Sequence, residues 1–413
     1  MPTLIQPLRG LRPAGGRAGD VIAPPYDVLS SAEARQRARG RPASFLHISK
    51  PEIDLPEGTD PYDPAVYARG AGNFRHMIDS GVLVRDATPC YYVYRLRMGT
   101  HVQTGLVCAG SVAAYDSNRI RRHEFTRPDK EDDRVRQITA LDAQTGPVLL
   151  AYRSSPAVAA LLALATTAEP VAHAIADDGI GHTLWRIADV PTIAALTDHF
   201  ERMPTLYIAD GHHRSAAASR VAAARRMQAK PAGNDAPWEA FLCVAFPHDE
   251  MKILDYNRVV RDLAGHDPAG LLARLEACFT IEPVTGQAKP TRAGEFGLYL
   301  AGRWYRLAIH PALVPADPVA RLDVSLLQAQ VLDPLLGIRD PRTDKRIDFV
   351  GGMRGLGELE KRVDSGEMAL AFALYPTSMD ALMAVADAGQ VMPPKSTWFE
   401  PKLADGMVSH LLD

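Results

Sequence analysis

Residues 205–218 read TLYIADGHHRSAAA, and this stretch decides the fold. Thr205 to Ala209 is an apolar run of strand length, and the chain behind Gly211 is rich in alanine, the composition of a helix. A buried strand that breaks at a glycine and runs straight into a helix is a unit of α/β architecture. The first turn of such a helix has backbone N–H groups without intrahelical partners, and the helix dipole adds partial positive charge there. Gly211 permits a tight turn and close approach of an anion. Arg214 adds a planar multi-donor group, and Ser215 adds a hydroxyl. His212 and His213 can donate to an anion, carry protons or bind a metal ion. A plain cap would require only Asp210. The pair of histidines and the arginine point beyond that, to phosphate recognition.

Elsewhere strands and helices alternate, with hairpins between them. Residues 63–81, DPAVYARGAGNFRHMIDSG, predict a helix with Asp63 as N-cap, Pro64 in its first turn and Gly81 as its stop. CYYVYRLRM and HVQTGLVCAGSVAAY predict a hairpin about Gly99-Thr100. GDVI and SFLHIS (residues 44–49) read as short strands, and PAVAALLALATTA (156–168) as a buried helix too short to span a bilayer. PAGNDAP (231–237) is the best linker-like interruption. It predicts two domains, 1–235 carrying the Asp210–Ser215 turn and 236–413, whose C-terminal tail packs back on the site. The fold expected is α+β, mixed α/β with mixed sheets. No repeat period supports a solenoid.

The 413 residues carry a net charge of −3, which argues against a non-specific nucleic-acid binder. Four scattered cysteines, without paired or Cys/His spacing, indicate free thiols rather than zinc or a disulfide framework. The amino-terminal stretch has no continuous apolar core of the kind a secretory signal needs, so a cytoplasmic protein is expected, with no membrane partner.

Three further stretches can carry chemistry. In HEFTRPDKEDDR (123–134), Pro128 and the acids after it suit a helix start. That leaves His123 and Glu124 unexplained, with Arg127, Lys130 and Arg134 among the acids. Glu124 can act as a general base, and the three cations can grip an anion. In MPPKSTWFEPK (392–402), Lys395, Ser396 and Lys402 offer donors around an aromatic wall; a tail locked by packing explains the prolines and aromatics, but not the cluster of lysines and hydroxyls. In APPYDV (23–28), Tyr26 and Asp27 sit on a stiff loop, where Asp27 also suits a plain turn. The glycine-rich FVGGMRGLGELE lacks phosphate-loop spacing and suits a strand-to-helix turn.

APPYDV, HEFTRPDKEDDR, YIADGHHRSAAA and MPPKSTWFEPK, in this order, resemble the bacterial family numbered 1015 among domains of unknown function. The ADGHHR turn is also similar to the strand–turn–helix of ParB partition proteins, sulfiredoxins and free-serine kinases. That second resemblance implies a ParB/sulfiredoxin-like core in which Gly211 and Arg214 bind nucleotide phosphates. Asp210, His212 and His213 look most like the serine-kinase version. The cysteine of sulfiredoxins is missing from the turn, and no helix-turn-helix segment follows it as in ParB proteins. The resemblance implies a phosphotransferase acting on a small hydroxylated metabolite, with free serine the most specific acceptor. It implies a nucleotide or pyrophosphate donor and Mg2+ with the nucleotide. Glu124, Asp210, His212 and His213 would then be catalytic. Gly211, Arg214, Ser215, Tyr26, Asp27, His123, Arg127, Lys130, Arg134, Lys395, Ser396 and Lys402 would bind phosphate or substrate. A metal-dependent hydrolase of a phosphorylated metabolite and a non-catalytic nucleotide or metabolite sensor stay open as alternatives.

Overall fold

The computed structural model describes residues 3–228 and 236–413, so residues 231–235 of the expected linker, and the 235/236 boundary, touch on residues outside the described ones. The chain divides into two compact units, Met1–Met251 with Pro401–Asp413, and Lys252–Glu400. The division falls after the strand Ala240–Pro247, because that strand is paired on both sides within the first unit's sheet. Among the described residues no helix is long and apolar enough to cross a membrane.

The first unit is built on a nine-stranded sheet. Its strands are β1 (Ile5–Gln6), β2 (Tyr91–Met98), β3 (His101–Ser111), β4 (Ile120–Arg121), β5 (Val148–Tyr152), β6 (Ala172–Ile175), β7 (Gly181–Ile187), β8 (Leu206–Asp210) and β9 (Ala240–Pro247). Their order is β4-β8-β5-β9-β3-β2-β7-β6, with β1 added beside β3. Pairs β4/β8 and β5/β9 are parallel and the others antiparallel, so the sheet is mixed as expected. The hairpin β2–β3 turns at Gly99-Thr100, where Gly99 has a positive φ of 60°.

Five helices matter to this unit: α1 (Pro64–Asp79), α2 (Pro128–Leu141), α3 (Pro156–Ala165), α4 (Val190–Glu201) and α5 (His212–Gln228). α1 starts as its sequence predicts: Asp63 Oδ1 accepts the Ala65 N–H at 2.8 Å, and Pro64 fills the first turn. α5 is alanine-rich for a packing reason. Ala216, Ala218 and Ala222 join the core cluster that includes Leu150, Leu206, Ile208 and Phe241, while Ala217 and Val221 pack with Ile138 and Leu412. Small side chains on both faces let this helix lie close to its neighbours.

Three local expectations are corrected. SFLHIS forms a one-turn helix, Leu46–Ser49, with Phe45, Leu46 and Ile48 all buried; an apolar run of this length does not distinguish a strand from a helical turn. GDVI is likewise a helical turn, Ala18–Val21; so short an apolar run has no readable period. α3 is a surface helix, burying only Val158 and Leu162 and leaving Leu164 exposed. The cysteines are free, three of them buried.

The second unit is a six-stranded antiparallel sheet flanked by helices. Its strands are β10 (Tyr256–Val260), β11 (Phe279–Val284), β12 (Glu295–Leu300), β13 (Arg303–Ile309), β14 (Ile347–Gly351) and β15 (Leu370–Leu374), in the order β11-β13-β12-β15-β10-β14. The glycine-rich stretch makes the strand-to-helix turn expected of it, from β14 to the helix Leu356–Asp364, with Gly355 at a φ of 67°.

Candidate active site at the start of helix α5

The parallel pairing of β4 and β8 assembles the site. Ile120 lies opposite Leu206 and Arg121 opposite Tyr207, so the chain leaving β4, His123-Glu124, emerges beside the chain leaving β8, Asp210-Gly211. Carboxyl ends of adjacent parallel strands are where α/β sheets place ligands. β8 also carries a register shift against β5 between Ile208 and Asp210, which bends it into the turn. Gly211 sits at a φ of 99°, and a Cβ there would meet Arg214 Nε at 3.1 Å and the Val148 Cα at 3.2 Å. Both backbone angle and space demand glycine.

Asp210 is the hub. Its Oδ1 accepts the Gly211 N–H at 3.0 Å, and its Oδ2 lies 3.3 Å from Arg214 Nη2 and 3.5 Å from Lys402 Nζ. Burial opposes its charge, but Lys402 and Arg214 outweigh it and hold the carboxyl well below the usual carboxylate range. Arg214 is itself buried and also donates through Nη1 to the Pro147 carbonyl, which ties the helix start to the chain entering β5.

The two histidines point in different directions. His212 is buried with His123, the two rings edge-to-face at 4.5 Å between centroids. Burial first, and then the neighbouring imidazole, pushes His212 well below the ordinary histidine range, and burial pushes His123 down to about 4. Both shifts favour the neutral imidazole. His212 Nδ1 stands 3.9 Å from Glu124 Oε2, a carboxylate about half exposed. His213 instead accepts the Arg127 N–H on Nε2 at 3.0 Å, pinning the segment before α2 to the helix start.

Next to this turn lies a small cavity of about 30 Å3, lined by Tyr26, Arg134, Gln144, Gly146, Arg214 and Asp405 among others, with room for about one water-sized group. Arg134 stacks on the Tyr26 ring at 3.8 Å and pairs with Asp133 at 2.6 Å. Burial raises the Tyr26 hydroxyl to about 12. Asp27 follows on an exposed turn. Asp405 is buried, and among the described residues its Oδ1 has no hydrogen-bond partner. Sequence reasoning passed over it because an aspartate in KLADGMVSHLL has no motif around it; the signal was an acid inside an apolar terminal run.

Several expected binding residues are turned elsewhere. Ser215 is fully buried and donates to the His212 carbonyl at 3.0 Å, so its hydroxyl closes the helix backbone rather than facing an anion. Arg127 is exposed and pairs with Asp129 at 2.9 Å. Lys130 donates to the Tyr62 hydroxyl at 2.7 Å. Lys395 and Ser396 belong to the second unit. There the Lys395 carbonyl accepts from Arg258, and Ser396 donates to the Pro393 carbonyl at 2.6 Å, as a packed tail would have it. Lys402 belongs to the first unit.

No curated protein gives a match to this chain. Among solved structures it is similar to a free serine kinase in complex with AMP, at 13% identity and a TM-score of 0.35, over 71% of this chain and 86% of that one. It is similar to SbnI with a C-terminal truncation, from Staphylococcus aureus, at 12% identity and a TM-score of 0.39, over 72% and 85%. A conserved hypothetical protein from Pyrococcus furiosus is similar at 14% identity and a TM-score of 0.33, over 73% and 93%. A family model matches residues 5–325, and the chain therefore belongs to the family described as protein of unknown function (DUF1015).

Proposed function

We propose that this protein is a phosphotransferase that acts on a small hydroxylated metabolite. Its most specific form is a free-serine kinase with a nucleotide or pyrophosphate donor. One observation carries the reading: a glycine-closed helix start at which two fixed cations, Arg214 and Lys402, flank a single carboxylate, Asp210. The charges of Arg214 and Lys402, added to the N–H groups of His212, His213 and Arg214, suit a phosphate chain. Phosphoryl transfer asks mainly for positioning and electrostatic stabilisation, which such a site supplies. Either Asp210 or a histidine of the turn would support Mg2+ arriving with a nucleotide, or the acceptor. Glu124, beside the helix start, is the first choice to take the proton from the acceptor hydroxyl, with Asp27 the alternative. The choice of serine rests on the resemblance of the ADGHHR turn. A second reading, a metal-dependent phosphohydrolase, is favoured by the grouping of His123, Glu124 and His212.

The test is incubation with serine and related hydroxylated acceptors, each with ATP, ADP or pyrophosphate, read by mass spectrometry. Phosphoserine or another phosphorylated acceptor is expected. Glu124→Gln should lower kcat by roughly 10²–10⁴-fold with little change in donor affinity. Absence of any phosphorylated product across the panel rejects the kinase reading. Phosphate release from phosphorylated metabolites would move the assignment to the hydrolase, and tight nucleotide binding without turnover would move it to a sensor.

A further inference from the structure

We propose that His123, Glu124 and His212 bind one divalent transition-metal ion of the zinc class directly. Each offers a ligand atom, and these atoms all lie within 4.8 Å of one another. Among the described residues His123 is buried, neither ring nitrogen makes a well-formed hydrogen bond, and the Ile208 carbonyl is the backbone group near the ring. Buried polar atoms are nearly always satisfied, and the Ile208 carbonyl can serve only one ring nitrogen, so the other calls for a partner. His212, also buried, meets only a long contact at Nε2, 3.5 Å from the His123 backbone N–H, while its Nδ1 faces Glu124 at 3.9 Å. A contact of that length does not commit the ring to one tautomer.

The fold brings the three together by register. His123 and Glu124 follow β4, His212 opens α5 after β8, and the two strands run parallel side by side. Two ligands on a tetrahedral zinc ion stand roughly 3.3 Å apart, given bonds of about 2.0 Å. A half-exposed glutamate can close the remaining gap by rotating its side chain.

The donor set selects the metal class. Two neutral imidazoles and one carboxylate suit zinc, and also cobalt, manganese or iron, whereas Mg2+ and Ca2+ favour oxygen-only shells. Three protein ligands leave a fourth position open, the arrangement of a catalytic rather than a structural zinc site. The inference rests on the ligand set and not on the phosphotransferase reading. A protein that binds the ion without transferring phosphate would uphold the one and reject the other.

The test uses the full chain stripped with chelator and titrated with Zn2+ and Co2+, without substrate. One equivalent should bind, Co2+ should show the visible absorption of a tetrahedral or five-coordinate site, and millimolar Mg2+ should not displace it. Glu124→Gln should weaken Zn2+ binding by roughly 10–100-fold or more, since even residues that only orient a ligand have effects of that size. Glu124 is half exposed, so this variant should keep its fold. His123→Asn, checked for folding by circular dichroism, should weaken binding at least as much. No stoichiometric Zn2+ or Co2+ binding at micromolar free metal would overturn the proposal. So would binding that neither variant changes.

Discussion

Replacing Arg214 by alanine is expected to destabilise the first unit by about 3–5 kcal/mol, the range for removing one partner of a buried ion pair. Arg214 is buried; it bonds the Pro147 carbonyl and lies 3.3 Å from Asp210. Without it, the half-buried Asp210 carboxylate keeps Lys402 alone at 3.5 Å, and the Pro147 carbonyl loses its donor. Arg214→Lys preserves charge but not the planar fork that reaches both acceptors, so it should recover only part of the loss. Urea unfolding of the three proteins measures this. If Arg214→Ala unfolds within about 1 kcal/mol of the parent, the ion pair does not anchor the turn. A lysine variant as stable as the parent would deny the fork its role.

Asp405→Asn should have the opposite sign, and only at neutral to alkaline pH. Burial raises the Asp405 carboxyl to about 7, with Arg214 and Arg134 opposing and Asp27 adding to the rise. In the unfolded chain an aspartate titrates near 3.9. The stability this group contributes is therefore complete below pH ~4 and is lost as pH climbs through 7, because the unfolded state ionises first. Three pKa units correspond to about 4 kcal/mol at most. Asparagine cannot ionise, so the variant should match the parent at pH 4 and exceed it by up to about 4 kcal/mol at pH 8. Chemical denaturation at the two pH values decides it. Equal differences at both would show that Asp405 is already charged in the folded state.

The core of this site was legible in sequence because its logic is local. TLYIADGHHR announces strand, glycine turn and helix start within ten residues, and the structure shows β8, a positive φ at Gly211 and α5 in that order. The mixed α+β fold was legible for the same reason, from hairpins and capped helices such as Asp63–Gly81. Other parts depended on pairing that no local pattern records. His123 meets His212 only because β4, a strand of two residues that periodicity cannot detect, runs parallel beside β8. Asp405 reaches the cavity because the last residues return to the first unit, where Asp405 bridges Ala23 and His410 pairs with Gln144. Ser215 illustrates the converse: a hydroxyl at a helix start invites an anion, yet at this position the rotamer returns it to the backbone.

A crystal structure of the protein with ADP bound bears most closely on the anion cradle at the start of α5. The phosphates should lie within hydrogen-bond distance of the His212, His213 and Arg214 N–H groups and of Lys402 Nζ. A nucleotide bound elsewhere, or no binding at saturating concentration, would contradict it.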